Sequence, residues 1–236
     1  MRTKHFRSGA RFASFTTSAA LALALALAAV PAAAAKKLVP SFFNTVEIRS
    51  SNLKPFKKWQ SALDRFSKES AQKAKKKKKS SCKARKLDIC DYGDWTAFLQ
   101  TLKGKDALTQ IRAVNHRMNN AKYITDSTNW GRKDYWATPA EFMANFGDCE
   151  DYAIIKYLSL RLLGFAEEDL RVVAVKDLNL KVGHAILIVF WKDPRSGKKR
   201  ALMLDNQIKK VVDARAVRHY QPVFSINKDY WWRHRN

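Results

Sequence analysis

The chain has 236 residues, of which 46% are hydrophobic and 28% are charged, and its formal net charge at pH 7 is +24. This length suits one domain with a sizeable core. The positive charge favours anionic partners or serves only solubility and steering. We expect no nucleic-acid-binding function, because no zinc-finger spacing, RNA-recognition signature or homeodomain-like helix accompanies the charge.

The first 35 residues have the three parts of a secretory signal. A basic start is followed by an apolar run, Ala19–Val30, and by the small-residue cleavage pattern Ala33-Ala34-Ala35. The apolar run is too short for a membrane span, which needs about 20 residues. We therefore expect residues 1–35 to be a signal peptide that is cleaved after Ala35. The mature chain is expected in the bacterial periplasm, with secretion to the medium as the alternative.

A basic N-terminal segment is expected at residues 36–90, before a core domain at residues 91–236. The segment contains one predicted helix, around Lys57–Phe66. It also contains a block of five lysines: Lys75, Lys76, Lys77, Lys78 and Lys79. Because like charges repel, such a block is typical of a solvated loop. The alternative is that the block contacts a membrane surface or another polyanion.

The three cysteines divide into a close pair and a single residue. In an oxidising compartment Cys82 and Cys90 can form a local disulfide, which leaves Cys149 as the odd thiol. One interpretation is that Cys149 is an inert, buried residue. However, carboxylates flank it at Asp148 and Glu150, and unpaired carboxylates are costly to bury. The pattern therefore favours a surface, a cleft or a metal site at Cys149.

The middle of the chain is predicted to be helical on both sides of an irregular connection. Apolar residues recur at helical spacing through residues 94–119, where Gly104 separates two helices. Residues 123–136 are dense in Asp, Ser, Thr, Asn and Gly, which predicts the connection. Thr138-Pro139-Ala140-Glu141 then begins a short helix with a capping box, and this helix should end near Gly147.

The helix that follows is expected to be the buried centre of the fold. It should run from Cys149 to about Leu163, with Asp148 as its N-cap and Gly164 just past its end. After Gly164 the apolar period changes to two, which predicts four strands: residues 170–175, 182–191, 201–204 and 220–226. The short connections between them indicate an antiparallel sheet. The fold class is therefore α+β, with the cysteine-bearing helix packed on the sheet.

Three polar residues of this arrangement are candidates for nucleophilic catalysis. Cys149 lies at a helix start, where the thiolate is favoured. His184 shares a strand face with Ile186, so its ring needs a polar partner there. Asp205 ends the next strand and can orient the far nitrogen of the ring. Taken singly, a strand histidine is often structural and an Asp-Asn pair is often a turn. Together the residues predict a Cys-His-Asp hydrolase or transferase.

Five ordered motifs carry a resemblance to a known family. They are Trp136–Phe142 (WATPAEF), Gly147–Ala153 (GDCEDYA), Val175–Asn179 (VKDLN), Val182–Ala185 (VGHA) and Leu204–Asn206 (LDN). In these motifs the chain resembles the bacterial transglutaminase-like cysteine proteinases, and most of all their periplasmic LapG type, which processes surface adhesins. The resemblance implies a papain-like, transglutaminase-like core.

The same resemblance assigns roles to individual residues. It implies that Cys149 is the nucleophile, His184 the base and Asp205 the orienting acid of a thiol protease. It also implies dependence on Ca²⁺, with Asp148 and Glu150 as ligands, and carboxylate oxygens do suit this ion. The alternative is that Asp148 is only an N-cap and Glu150 only a favourable acid on the helix dipole.

The resemblance further implies a substrate and a regulator. The substrate is a large surface adhesin, cut at a small-residue, di-alanine-like site, which would regulate adhesion and biofilm formation. A small residue at the cut requires a narrow pocket, to which Trp136 could contribute a wall, although a large aromatic residue is more often core. The regulator is an inner-membrane receptor for cyclic diguanylate.

Two other functions remain compatible with the sequence. The same triad serves a transglutaminase or a cell-wall amidase, in which the acceptor or the substrate amide differs. A different class is a non-catalytic, basic periplasmic module that binds an anionic polymer, with Cys149 incidental. Replacement of Cys149 by alanine separates these classes, because binding driven by charge should survive it.

Overall fold

An antiparallel sheet of seven strands is the centre of the fold. The computed structural model describes residues 42–75 and 92–235. The strands are β1 (Val46–Ser50), β2 (Leu170–Asp177), β3 (Val182–Lys192), β4 (Lys199–Leu204), β5 (Val212–Asp213), β6 (Tyr220–Ile226) and β7 (Trp231–Arg235). Their order across the sheet is β1-β7-β6-β2-β3-β4-β5, and every neighbouring pair is antiparallel. The predicted α+β class is confirmed, and the four predicted strands are β2, β3, β4 and β6.

Six α-helices lie among the described residues. They are α1 (Lys57–Lys75), α2 (Tyr92–Leu102), α3 (Ala107–Asn119), α4 (Asp126–Trp130), α5 (Pro139–Asn145) and α6 (Cys149–Leu162). The predictions of α2, α3, α5 and α6 are confirmed. Helix α1 continues well past the predicted end at Phe66, and the predicted irregular connection contains the short helix α4.

The helix ends follow from local side-chain chemistry. At the start of α5 the Thr138 hydroxyl accepts the Glu141 N–H, while the Glu141 carboxylate accepts the Thr138 N–H at 2.8 Å. This reciprocal pair is the predicted capping box. Helix α6 ends before Gly164, whose φ of +95° lies in the left-handed region that glycine adopts without strain.

Helix α6 is buried along almost its whole length, and it packs on one face of the sheet. Leu187 and Val189 of β3 lie in one buried cluster with Ile154 and Tyr157 of α6. Trp59 of α1 belongs to the same cluster, so α1 contributes to the core. Each large side chain buried there stabilises the fold by roughly 1.5–3 kcal/mol.

The opposite face of the sheet carries a second buried cluster. It includes Ile186, Ile188 and Phe190 of β3 together with Met203 of β4. His184 lies two positions before Ile186 on β3, so its side chain lies on the same face of the strand as Ile186. The expectation that His184 points toward the core is confirmed, since the residue is 6% exposed.

Several sequence predictions lie outside the described residues. They are the signal peptide at residues 1–35, the lysines from Lys76 to Lys79, and the pairing of Cys82 with Cys90. All described residues belong to one contact unit, Val39–Asn236, and the division between residues 36–90 and 91–236 stays a prediction. No helix in the described part of the chain is long and apolar enough to cross a membrane.

Candidate active site

The start of α6 is held in place by a tight contact between Gly147 and Asp151. The Asp151 carboxylate accepts the N–H of Asp148 at 3.2 Å and the N–H of Ala137 at 2.7 Å. A Cβ on residue 147 would collide with the Asp151 carboxylate, so only glycine fits there. Asp148 occupies the predicted N-cap position, and Cys149 is the first helical residue.

Cys149 is partly buried and faces acidic neighbours. Its thiol donates to Oε2 of Glu150 at 3.1 Å, while the N–H of Ala185 donates to the sulfur. Burial raises the pKa of the thiol, the charge of Glu150 and its hydrogen bond raise it further, and Asp148 adds to the effect. The Ala185 N–H acts in the other direction. These acids therefore hold Cys149 as the thiol unless something neutralises them.

His184 and Asp205 form the expected pair. Nε2 of His184 lies 2.9 Å from Oδ1 of Asp205, while Nδ1 faces the Gln207 side chain at 3.5 Å. The Tyr220 hydroxyl donates to Oδ2 of Asp205 at 2.8 Å, and the Gln207 N–H donates to Oδ1 at 2.8 Å. Burial opposes ionisation of Asp205, but these hydrogen bonds and the charge of His184 outweigh it, so the pKa of Asp205 is lowered.

The three predicted residues are thus carried by neighbouring elements. Cys149 begins α6, His184 lies near the start of β3, and Asp205 follows β4 directly. The contact between the Cys149 sulfur and the Ala185 N–H brings the thiol next to the residue after His184. The thiol hydrogen bonds to Glu150, and the hydrogen bonds of the His184 ring go to Asp205 and Gln207. The assignment of the triad stays a prediction.

Acidic side chains cluster beside Cys149 in a form that suits a hard cation. Donor atoms of Asp148, Cys149 and Glu150 lie within 4.8 Å of one another, as do those of Asp126, Asp148 and Asp151. One buried oxygen of Asp126 and one of Asp148 have no hydrogen-bond partner in the described residues. Burial, and then the hydrogen bond and charge of Glu150, raise the pKa of Asp148 to about 7. Unpaired carboxylate oxygens of this kind fit Ca²⁺, which takes six to eight oxygen ligands.

Sequence reasoning missed Asp126, which belongs to this cluster, and Tyr123, which lies beside it. Tyr123 makes an isolated parallel bridge with Gly147, and the N–H of Ile124 donates to the Gly147 carbonyl at 2.9 Å. The N–H of Asp126 donates to the Asp148 carboxylate at 3.2 Å. Burial and the charges near Cys149 raise the pKa of Tyr123 to about 12. The sequence signal for Asp126 was an acidic residue in the predicted loop, but its partner Asp148 lies 22 positions further along the chain.

Trp136 lies against the core. Its ring meets that of Trp59 edge to face at a centroid distance of 6.2 Å, and its backbone carbonyl accepts from Arg65 at 2.6 Å. It packs against the same buried cluster as α6. Its predicted part in a substrate pocket stays a prediction.

Comparisons with known proteins found a matching family model and several similar solved structures. A family model described as bacterial transglutaminase-like cysteine proteinase, BTLCP, matches residues 69–232. That range contains the described part of the chain from α2 through β6, and with it Cys149, His184 and Asp205. No match is found among curated proteins.

Solved structures of one bacterial protein are similar to the chain. LapG of Legionella pneumophila is 34% identical, over 59% of this chain and 75% of that chain, with a TM-score of 0.52. Its calcium-bound form is 29% identical, over 73% of this chain and 87% of that chain, with a TM-score of 0.55. Its EGTA-treated form is 34% identical, over 60% and 75% of the two chains, with a TM-score of 0.53.

Proposed function

The chain belongs to the bacterial transglutaminase-like cysteine proteinases, and from this we propose that it is a calcium-dependent endopeptidase that acts through Cys149, His184 and Asp205. It is a cysteine protease with the α+β fold of this family. The observation that carries the catalytic assignment is the buried hydrogen bond of 2.9 Å between His184 and Asp205, beside a helix that begins with the free thiol of Cys149.

The proposed reaction divides peptide cleavage into two acyl transfers. His184 takes the proton of Cys149, and the thiolate attacks the peptide carbonyl carbon. His184 then gives that proton to the leaving amine, and the acyl group stays on the sulfur as a thioester. In the second half His184 takes a proton from water, the resulting hydroxide attacks the thioester, and the acid product leaves with the thiol restored.

Two further groups support these steps. The ionised Asp205 accepts from Nε2 of His184 and so leaves Nδ1 for the exchange of protons with Cys149. The backbone N–H of Cys149 lies at the N-terminus of α6, where helix amides stabilise negative charge, and it is the proposed donor to the carbonyl oxygen. Water that enters after departure of the amine completes the cycle.

We propose that Ca²⁺ is held by Asp148 and Glu150, with Asp126 as a further ligand from the adjacent segment. The unpaired buried oxygens of Asp148 and Asp126 support this set, as does the existence of a calcium-bound form of the similar Legionella protein. When bound, the ion would neutralise the carboxylates that oppose ionisation of the Cys149 thiol. Asp134 shares a cluster with Asp126 and Glu150, and it also pairs with Lys58 at the surface.

We propose that the substrate is a large surface adhesin, cut in its N-terminal region at a di-alanine-like site, and that cutting controls adhesion and biofilm formation. The support is the resemblance of the five motifs to the adhesin-processing members of the family. On the same ground we propose an inner-membrane cyclic-diguanylate receptor as regulator and a periplasmic location. The sequence pattern of residues 1–35 also favours export.

The first experiment is cleavage of an adhesin fragment by the purified mature chain. The fragment is the N-terminal region of the largest repetitive adhesin encoded in the same genome, and products are identified by mass spectrometry. We expect one cut between small residues in the presence of Ca²⁺. Cys149→Ala should abolish the cut, whereas Ser196→Ala, in the exposed turn after β3, should leave it unchanged.

A labelled primary amine, added to the same reaction with a glutamine-containing peptide, distinguishes cleavage from amine transfer. Incorporation of the amine without any cut in the backbone would show a transglutaminase. Cleavage that persists in Cys149→Ala would exclude the proposed nucleophile.

A further inference from the structure

The turn that joins β2 to β3, residues 178–181, displays apolar side chains to solvent. Leu178 is 47% exposed and Leu180 is 60% exposed, and Val182, the first residue of β3, is 50% exposed. These are three of the eight large hydrophobic residues that are exposed in the described part of the chain. Turns are usually built from Gly, Pro, Asn, Asp and Ser, so this concentration of apolar side chains indicates a contact surface.

Hydrogen bonds hold the β2–β3 turn in place. The carboxylate of Asp177, which is 2% exposed, accepts the N–H of Asn179 at 2.8 Å and that of Leu180 at 3.0 Å. The N–H of Leu178 donates to the carbonyl of His219 at 2.8 Å. The apolar side chains are therefore presented on an anchored backbone, and a ligand can bind them with little further ordering of the turn.

Gly183, between the turn and His184, leaves open space on the side of the sheet that carries α6. It shares a strand face with Ala185, which packs against the buried cluster that contains α6. A Cβ at residue 183 would meet nothing within 4 Å, and the φ of Gly183 does not lie in the left-handed region. Neither packing nor backbone conformation therefore requires glycine here. A glycine inside a strand is typical of a place where another backbone approaches closely.

A fourth exposed side chain, Tyr123, lies near the proposed nucleophile. Tyr123 is 52% exposed, and its backbone bridges Gly147, two residues before Cys149. Its ring stacks on that of Tyr152, three residues after Cys149, at a centroid distance of 6.4 Å. Exposed apolar groups therefore border the proposed nucleophile as well as the strand that carries the proposed base.

We propose that the main chain of the substrate passes over Gly183 and that an apolar side chain of the substrate packs on Leu180 and Val182. The inference rests on the proposed function, because it places the substrate relative to Cys149 and His184. Strand β3 and an extended peptide both advance about 3.3 Å per residue, so the turn lies beside substrate residues about two to four positions from the cut. The protease thus selects an extended apolar segment near its cut, in addition to the proposed small residues at the cut itself.

Gly183→Ala tests the path of the substrate main chain. The fold has room for the added methyl group, and alanine restricts the unfolded chain more than glycine does, so the melting temperature should equal or exceed that of the wild type. The substrate needs the same room, so KM for the adhesin fragment should rise by about tenfold. The value of kcat should stay within about twofold, because the variant loses binding and no step of the reaction.

Two polar variants test the apolar contact. Leu180→Asn and Val182→Thr keep a similar side-chain volume but lose apolar surface, and each should raise KM by about fivefold. Val46→Thr is the matched control for Val182→Thr, because Val46 is 66% exposed on β1, at the far edge of the sheet, and it should leave KM and kcat unchanged. Since all three side chains are exposed, the melting temperatures should stay within about 2 °C of the wild type.

A synthetic peptide that spans the mapped cut tests the same contact from the side of the substrate. Each apolar residue within about four positions of the cut is replaced in turn by asparagine, and KM is measured with the wild type and with Val182→Thr. One replacement should raise KM by about fivefold with the wild type but by less than about twofold with Val182→Thr, whose apolar partner is already lost. If every replacement has the same effect on both proteins, the turn does not contact the substrate and the inference is wrong.

The outcomes separate this inference from the proposed function. If the wild type cleaves, Cys149→Ala does not, and the three variants keep the wild-type KM, the substrate path is wrong while the protease assignment stands. A fall in kcat at unchanged KM would also overturn the inference, since the substitutions would then act on His184 and not on binding. A lower melting temperature of Gly183→Ala would show that the fold requires this glycine, against the inference. If Cys149→Ala still cleaves while Gly183→Ala raises KM, the proposed nucleophile is wrong and the substrate path remains.

Discussion

Replacement of Asp148 by asparagine should stabilise the metal-free protein at neutral and alkaline pH. The pKa of Asp148 is raised from 3.8 to about 7, mainly by burial and then by the hydrogen bond and charge of Glu150. At 1.36 kcal/mol per pKa unit this rise corresponds to about 4 kcal/mol. Because Asp148 is only partly buried, solvent screens part of this energy, and we expect an effect on the free energy of unfolding of about 2 kcal/mol.

The direction of this change in stability follows from the protonation of Asp148 in the folded and unfolded states. The folded state binds the proton of Asp148 more tightly than the unfolded state, so this contribution to stability is complete below about pH 4 and is lost as the pH rises through about 7. The amide of the Asp148→Asn variant cannot ionise, so the variant does not lose this contribution. In EGTA at pH 8 the free energy of unfolding of Asp148→Asn should exceed that of the wild type by about 2 kcal/mol, and the difference should vanish near pH 4.

Calcium should make the wild type more stable than the Asp148→Asn variant. At about 100 times its Kd, Ca²⁺ should stabilise the wild type by about 2.7 kcal/mol, and the variant by less, because the variant lacks one carboxylate ligand. Urea denaturation at pH 8, with EGTA, Ca²⁺ or Mg²⁺, measures these differences. Asp64→Asn, on the exposed side of α1, is the control and should respond to Ca²⁺ as the wild type does. A variant that is no more stable than the wild type in EGTA, and that gains as much from Ca²⁺, would refute the reasoning.

Three further changes have defined outcomes. Asp205→Asn should lower kcat for peptide cleavage by about 10²-fold or more with KM nearly unchanged, because an amide can no longer hold the working tautomer of His184; an equal rise in KM would contradict this. Tyr220→Phe removes one donor to Asp205 and should lower kcat by about tenfold at most. Burial and the charge of Arg171 lower the pKa of His234 to about 4. Neutral His234 therefore contributes about 3 kcal/mol to the free energy of unfolding above pH 6.5, and this contribution is lost as the pH falls through 4. In urea denaturation, the free energy of unfolding of His234→Gln should decline less steeply than that of the wild type between pH 6.5 and 4.

The helices could be predicted largely because their signals are local. The Thr138–Glu141 capping box, the N-cap at Asp148 and the left-handed Gly164 each depend on residues within one turn. The same holds for β2, β3 and β4, where apolar alternation is long enough to recognise. The central position of α6 followed from its apolar composition.

The strands that were missed have patterns that local rules do not recognise. Strand β5 has only two residues. Strand β7 combines two tryptophans with basic residues, and its inward His234 is satisfied by Thr45 and Ser225, from distant parts of the chain. Strand β1 exposes Val46 and Ile48, so its apolar residues do not mark a buried face.

The elements that carry the candidate site residues could be predicted, but their surroundings could be predicted only in part. Cys149, His184 and Asp205 occupy the expected elements, whereas the side of the sheet that His184 occupies depends on packing. Asp126 reaches the acidic cluster through the backbone bridge between Tyr123 and Gly147, a non-local contact that no periodicity reveals. The proposed calcium ligands Asp148 and Glu150 lie in the same acidic cluster as this third carboxylate.

The most direct test of the proposed catalysis is detection of the acyl group on Cys149. The mature protein is mixed with the adhesin fragment in Ca²⁺, quenched in acid within milliseconds to seconds, and analysed by intact and peptide mass spectrometry. We expect a transient adduct on Cys149 whose added mass equals that of the N-terminal cleavage product less one water, and no adduct in Cys149→Ser. Cleavage by the wild type without any adduct, together with undiminished cleavage by Cys149→Ser, would contradict the account.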